Sequence, residues 1–226
     1  MNLFSWERFF NVIPIITPYL SVTLQVVIIA TIFGSLLGIL VAIVQIRRIP
    51  VINQICILYI SFMRGTPMLV QLFLILYGLP IILQPILGVN IGREWDRIDF
   101  AYATFILNQG AFLSVIFRSA IESVPVGQVE AGMSVGLSGF QNFRRVIFPQ
   151  ALKVALPPFG TDLIGLFENS SLVFTIGVID IMGRAKTIGS SSGHVLEAYI
   201  YIAIIYILIS ITVRLLFLKG TKKYGN

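Results

Sequence analysis

The run Arg64-Gly65-Thr66-Pro67 stands in the middle of a long apolar stretch, and it is the most chemically pointed feature of the 226-residue sequence. A guanidinium in hydrocarbon is costly unless it is paired or faces water, so by default it marks a solute path or a buried ion pair. A helix broken at Gly65 and Pro67 frees backbone N–H and C=O groups that can hold a zwitterion. Thr66 adds a hydroxyl, and Gln71, four residues past Pro67 on a continuing helix, is placed to face the same cavity. The competing reading has Arg64 snorkelling from a helix end to the membrane interface.

A second polar group lies in the proline-rich stretch Ala155-Leu-Pro-Pro-Phe-Gly-Thr161-Asp162, followed by Glu168-Asn169-Ser170-Ser171. Carboxylates in apolar sequence need partners. Asp162 can pair with Arg64 as a structural ion pair, or it can hold the ammonium of a solute whose carboxylate Arg64 holds, and both readings stand at this level. Glu168 is a weaker candidate, because the sequence does not fix its depth in the membrane.

Other chemistries are excluded or weak. No G-x-x-x-x-G-K-[ST] occurs, so the chain has no phosphate-cradling loop and is not itself an ATPase. Gly136-Leu137-Ser138-Gly139 reads as a serine-hydrolase G-x-S-G, with His194 as its base. Ser138 falls in a polar cytoplasmic stretch and His194 in the external loop after Gly189, so about 30 Å of membrane separates them. With one histidine and no H-E-x-x-H, neither a zinc protease nor a metal site is expected. Cys56 has no partner for a disulfide or zinc and reads as a small packing residue. A net charge of +6 raises nucleic acid as a partner, but the bases sit in short runs beside apolar stretches, and that reading is rejected.

The elements that must position these residues follow from composition. Hydrophobic residues make up 57% of the chain against 12% charged, which excludes a water-soluble globule and makes lipid the solvent. The 38 residues from Phe9 to Ile46 carry no charge. Residues 1–18 lack a basic region followed by a cleavage site, so the first apolar run is expected to remain as an anchor. At about 20 residues per crossing the chain divides into five spans: Tyr19 to Val44, Ile52 to about Leu83, Phe100 to Phe117, about Ala155 to Ile179, and Ala198 to Val213. Only helices fit runs of this length without period-two alternation, so the fold class is all-α.

The second span is long for one crossing. Either it is a hairpin turning at Arg64, or it is one helix broken near Gly65 and Pro67 and closed by Gly78 and Pro80. Five crossings place ten bases, Arg47, Arg48, Arg118, Arg144, Arg145, Lys153, Arg214, Lys219, Lys222 and Lys223, against five on the other side, Arg64 set aside. That bias puts the N-terminus outside and the C-terminus in the cytoplasm. The domains are then an external segment 1–18, a transmembrane domain 19–218 and a tail 219–226. Within the second, residues 122–154 form a cytoplasmic stretch of short helices broken at Gly136 and Gly139 and ended at Pro149, either a docking element or a solvated connector.

At these residues the chain resembles a known family, the membrane permease subunits of bacterial ABC importers for polar amino acids. Glu130-Ala131-Gly132, three residues, Gly136, nine residues, Val146-Ile147-Phe148-Pro149 is similar to that family's signature E-A-A-x3-G-x9-I-x-L-P, with Gly132, Val146 and Phe148 as conservative departures. Arg64 to Pro80, Val124 to Gln128 and Pro149 to Leu152 resemble its amino-acid branch, and the likeness covers Ser21 to Leu216. The resemblance implies a type I permease fold in the bacterial cell membrane, with coupling helices between the third and fourth spans. It implies coupling residues Glu130, Ala131, Gly132, Gly136 and Pro149, seated on an ATP-binding subunit dimer that holds ATP and Mg, while this chain binds no cofactor. It also implies a second permease, identical or homologous, and an extracellular or periplasmic amino-acid-binding protein; the polar residues read above, Arg64, Gly65, Thr66, Gln71, Thr161 and Asp162, are then those expected to meet the amino acid. The chain departs from many relatives where they carry an acid at Val115, Asn-Glu at Thr161-Asp162 and a base at Glu168. Loss of an acid favours a zwitterionic or polar amino acid over a cationic one. A stand-alone secondary transporter is the alternative, for which an inverted repeat is expected, and none is visible.

Overall fold

The fold was read from a computed structural model, which describes residues 4–88, 91–192 and 195–224. Helices run α1 Trp6–Ile16, α2 Leu20–Arg47, α3 Ile52–Gly65, α4 Met68–Phe73, α5 Leu79–Leu87, α6 Ile91–Glu94, α7 Arg97–Glu122, α8 Val126–Ser134, α9 Gly139–Asn142, α10 Phe148–Ser170, α11 Ile181–Ser192 and α12 Val195–Tyr224. Among the described residues there is no strand. His194, proposed above as an external loop residue, lies outside them.

The centre of the fold is the α2–α7 pair. α2 is apolar on every side, so hydropathy does not tell which face is buried; size does. Its buried positions include Thr23, Val27, Ala30, Gly34, Gly38, Val41 and Gln45, a stripe of small or slender residues at helical spacing. A methyl added to Gly34 would stand 2.7 Å from the Gln109 Cβ, and one on Gly38 would stand 3.0 Å from the Leu113 Cβ, so the backbones touch where side chains are missing. The partners rise together along both chains, and α2 and α7 therefore run parallel.

That parallelism decides the crossing count. The Tyr59 hydroxyl donates to the Leu107 carbonyl, whereas Leu76 and Tyr77 share a small cavity with Arg97 and Phe100. From α3 to α5 the chain thus moves steadily toward the start of α7, antiparallel to it, and never doubles back. Residues 52–87 are one interrupted crossing rather than a hairpin. The interruption falls at Thr66 (φ −116°, ψ 145°) and Pro67, as the broken-helix reading expects. Gly78 and Pro80 do not close it. The helix passes through one wide π turn at Leu74–Gly78, which directly precedes Pro80, and ends at left-handed Gly88.

α10 returns antiparallel to α7: Ala151 and Ala155 pack near Ala120 and Val124, Phe159 stacks on Phe117, and Asp162 reaches Gln109. α12 runs back along α10, with Phe217 against Gly160 and Tyr206 against Phe167. Five crossings alternate in direction, although only four single helices, with α10–α11 as a fifth bent by 53°, have the length and apolarity of a span. Asp180 holds that bend. It is fully buried, its Oδ1 accepts from the Gly183 N–H at 2.8 Å, and its Oδ2 accepts from Thr23 at 3.4 Å.

Two boundaries differ from expectation. α1 continues through a turn of 3₁₀ helix at Thr17–Tyr19 into α2 and is tied to α12 by Glu197, whose Oε1 accepts from the Ser5 N–H at 3.0 Å and pairs with Arg8 at 3.7 Å. Pro149 does not end a helix: it lies just past a wide π turn at Phe143–Ile147 in a helix that is continuous from Gly139 into α10, and α10 runs on through Pro157 and Pro158. The α2–α7 contact gives a direct test: Gly38→Leu, with a branched side chain where a methyl already stands 3.0 Å from Leu113, is expected to lower the melting temperature of the detergent-purified protein by several degrees, and an unchanged melting curve would show that the seam is not tight.

Candidate functional site

The site grows from the break between α3 and α4. A helix end leaves carbonyls without intrahelical partners, and inside a bilayer water does not supply them. Gln71 does. Its Nε2 donates to the Met63 carbonyl at 2.8 Å, the Thr66 carbonyl at 3.0 Å and the Thr66 Oγ1 at 2.9 Å. Asn108 on α7 completes the clasp, with Nδ2 at 2.8 Å from Gln71 Oε1 and 3.4 Å from the Met63 carbonyl. Gln71 is 1% exposed, and its amide is fully engaged inside the protein. It holds the break rather than lining open space.

Arg64 and Gly65 are left on the outside of that clasp. Arg64 is exposed in the lone chain, with its guanidinium carbon 5.4 Å from the centre of the Phe112 ring. Gly65 has nothing within 4 Å of where a Cβ would stand, so its surroundings are open. Thr66 is half-buried, and its hydroxyl donates to the Phe62 carbonyl at 2.8 Å.

Asp162 comes from α10. It is half-buried and accepts from Gln109 Nε2 through its Oδ2. Arg64 is near enough for its charge to act on this carboxylate, but the two form no ion pair. The ion pairs among the described residues are Arg8–Glu197 and Arg118–Glu122. An amide rather than a base therefore holds Asp162. Thr161 is exposed on the same helix, its hydroxyl donating at 3.3 Å to the Pro157 carbonyl, and Glu168 is exposed further along. The structure thus brings Arg64, Thr66 and Asp162 toward one region, turns Gln71 inward, and sets Thr161 and Glu168 on the open face of α10.

Sequence reasoning passes over Asn108 and Gln109. A signal was present: two adjacent amides inside the apolar span Phe100 to Phe117 are as conspicuous in lipid as a lone arginine.

Within residues 122–154, α8 turns at Gly136 back toward a helix that starts at Gly139 and runs through a wide π turn at Phe143–Ile147 into α10, forming a helix-turn-helix at one end of the bundle. α8 ends at Gly136, which sits at φ +85° with open space around it, so what demands glycine there is the left-handed backbone. Ser138 caps α9, its Oγ accepting from the Gln141 N–H at 3.3 Å while the Gln141 side chain returns to the Ser138 N–H at 2.9 Å. The apparent hydrolase serine is a helix cap. Gly132 lets α8 sit on Asn142: an added Cβ would come 2.9 Å from the Asn142 Cγ. Asn142, 1% exposed, donates to the Val129 carbonyl at 2.7 Å. Glu130 and Ala131 are exposed on α8, and Pro149 is exposed in the first turn of α10. Around them Val126, Met133, Val135 and Phe140 are exposed as well, Phe140 by 73%. Among the described residues no group of three or more potential metal ligands occurs.

Comparison with known proteins accounts for this arrangement. Residues 34–219 match the family described as "Binding-protein-dependent transport system inner membrane component". The chain belongs to that family and is a membrane-embedded transport permease rather than an enzyme. It is 40% identical over 220 residues to the L-cystine transport system permease protein TcyL of Bacillus subtilis (strain 168), covering 97% of this chain and 91% of the relative. It is 39% identical to the probable amino-acid permease protein YxeN of the same organism, covering 96% and 94%. Among solved structures, an amino acid ABC transporter crystallised with histidines superposes with a TM-score of 0.84 at 30% identity, over 97% of this chain and 99% of that one. The MetNI methionine ABC transporter superposes at 0.68 with 16% identity over 98% and 99%, a likeness of fold.

The clasp carries a prediction. Gln71→Leu keeps the volume but removes the donors to three oxygens, each costing about 1–3 kcal/mol if left unpaired and buried. The variant is expected to yield poorly in the membrane and to melt well below the parent by fluorescence-detected thermal shift, and a parent-like melt would mean that other groups cap the break.

Proposed function

We propose that this chain is the translocation subunit of an ATP-driven importer of zwitterionic or polar amino acids. The observation that carries this reading is that an unneutralised base, Arg64, at a helix break and an amide-held acid, Asp162, on α10 both stand against the same stretch of α7, at Phe112 and Gln109. One positive and one negative group suit the α-carboxylate and α-ammonium of one solute. Gly65 and Thr66 lie at the break beside Arg64, Thr161 lies beside Asp162, and Gln71 serves this site by holding the break. The names of the relatives, a cystine permease and a probable amino-acid permease among them, support an amino acid as the solute.

In this reading an extracellular or periplasmic binding protein delivers the amino acid, and a second permease, identical or homologous, closes the open face on which Arg64 and Thr161 stand. The helix-turn-helix of residues 122–154 docks on an ATP-binding subunit dimer, where ATP and Mg reside; this chain holds no cofactor. Glu130 offers that dimer a charge, Ala131 and Gly132 give close approach, Gly136 makes the bend, and Pro149 lies where the helix from Gly139 runs into α10 toward Asp162. ATP closure would move this element as a unit and swing the permeases between two packings. The bases Arg47, Arg118, Arg144, Arg145 and Lys153 lie at the same end of the helices as this element. That supports a bacterial cell membrane location with residues 1–18 outside and the tail 219–226 in the cytoplasm. Nothing in the geometry favours a stand-alone secondary transporter.

Two experiments test the reading. In proteoliposomes holding the complete transporter, Arg64→Ala and Asp162→Asn are each expected to reduce uptake of labelled amino acid to background while the complex still assembles, and parent-like uptake by either variant would remove that residue from the path. Gly132→Val, which drives a branched side chain into Asn142, is expected to lose copurification of the ATP-binding subunit while the permease stays in the membrane; undiminished copurification and ATPase stimulation would place coupling elsewhere.

A further inference from the structure

Adjacent residues on a helix point about 100° apart, so a pair of neighbours can each address a different partner helix. Asn108 and Gln109 do so. Asn108 reaches Gln71 and the Met63 carbonyl at the α3–α4 break, and through Gln71 it holds Thr66, next to Arg64. Gln109 reaches Asp162 on α10. One residue of α7 therefore fixes the basic half of the site and the next fixes the acidic half.

The turn of α7 that carries them is itself anchored on α2 and α3. Gln109 is 2% exposed, and its stem rests on the backbone of α2 at Gly34, where an added methyl would stand 2.7 Å from Cβ and 2.9 Å from Cγ. The Leu107 carbonyl, one residue earlier, accepts from Tyr59 on α3, which locks the same turn of α7 to the helix that carries Arg64. The amides also leave the charges of the site unspent. Gln109 occupies Oδ2 of Asp162, and no described residue hydrogen-bonds to Oδ1. A lysine or arginine at 109 would have neutralised the acid; an amide orients it and adds no charge.

We propose that Asn108 and Gln109 are the positioning residues of the transport site, two neighbouring amides on α7 that set the gap between Arg64 and Asp162 and leave it matched to a zwitterionic amino acid. This rests on the function proposed above. The residues need not touch the solute: they act through the break and through the carboxylate. If the gap is mis-set, the amino acid released by the binding protein is not held while ATP is still hydrolysed, so the loss falls on amino acid moved per ATP rather than on both in proportion.

The test uses the complete transporter in proteoliposomes with its loaded binding protein, measuring uptake of labelled L-cystine, L-glutamine and L-arginine together with ATP hydrolysis. Gln109→Met and Asn108→Leu keep side-chain volume and remove the amides. Gly34→Ala pushes Gln109 from outside, and Gly38→Ala places the same methyl in the same seam against Leu113 instead. Expected is a fall of about tenfold or more in amino acid moved per ATP for Gln109→Met, Asn108→Leu and Gly34→Ala, the worth of a hydrogen bond to a charged or buried group, with Gly38→Ala keeping the parent ratio. A parent-like ratio in Gln109→Met or Asn108→Leu overturns the proposal. So do equal losses in all four variants, or failure of both amide variants to assemble, either of which makes the role one of packing. A parent transporter that moves none of the three amino acids on ATP would instead sink the functional reading beneath it.

Discussion

A helix interrupted inside a bilayer must find hydrogen-bond partners within the protein, and the break at Thr66 and Pro67 organises the rest of this molecule. Three oxygens at that break depend on the amide of Gln71, and Gln71 depends on Asn108. Asn108 sits on α7, so the break is stable only while α7 lies alongside it. α7 in turn is held by α2, through the glycines that let the two backbones touch. The polar chemistry of the break and the close packing of α2 on α7 are thus one connected arrangement.

This arrangement explains why the site residues differ so much in burial. The amides that hold the two halves of the site, Gln71 at the break and Gln109 at Asp162, are almost wholly enclosed, whereas Arg64 and Thr161 are exposed and Asp162 lies between. Enclosed amides provide rigidity without adding charge; the charges stand at the rim, where a solute and a second subunit can reach them. The helix-turn-helix within residues 122–154 repeats the pattern at one end of the bundle. Asn142 is buried under Gly132 and fixes the shape, while Glu130 and several large apolar side chains remain outside and give it a surface.

The five crossings and the Arg64 break were legible in the sequence, because lipid penalises charge and unpaired backbone so heavily that composition alone restricts the answer. Proline was read less well. Pro80 and Pro149 each looked like a stop, yet both lie within continuous helices, each just past a wide π turn. A proline removes one N–H, and whether that ends a helix depends on which carbonyl loses its partner and what else can reach it. Gln71 was legible as a residue of the site but not as its clasp, since its fifth-residue spacing from Thr66 says nothing of Asn108 on another helix.

The sequence by itself determined the solvent, the helical class, the side on which the bases gather and the residues too polar to be idle. Each of these follows from the transfer free energy of single residues or short runs, and such terms are local. Only the tertiary structure decided that residues 52–87 cross once, that Asp162 is held by Gln109 rather than by Arg64, and that Ser138 is a cap rather than a nucleophile. Those facts depend on which helices touch and in what register. In a chain whose spans are apolar on every side, that is set by the fit of glycines against side chains many residues away, a property of pairs that no single stretch of sequence carries.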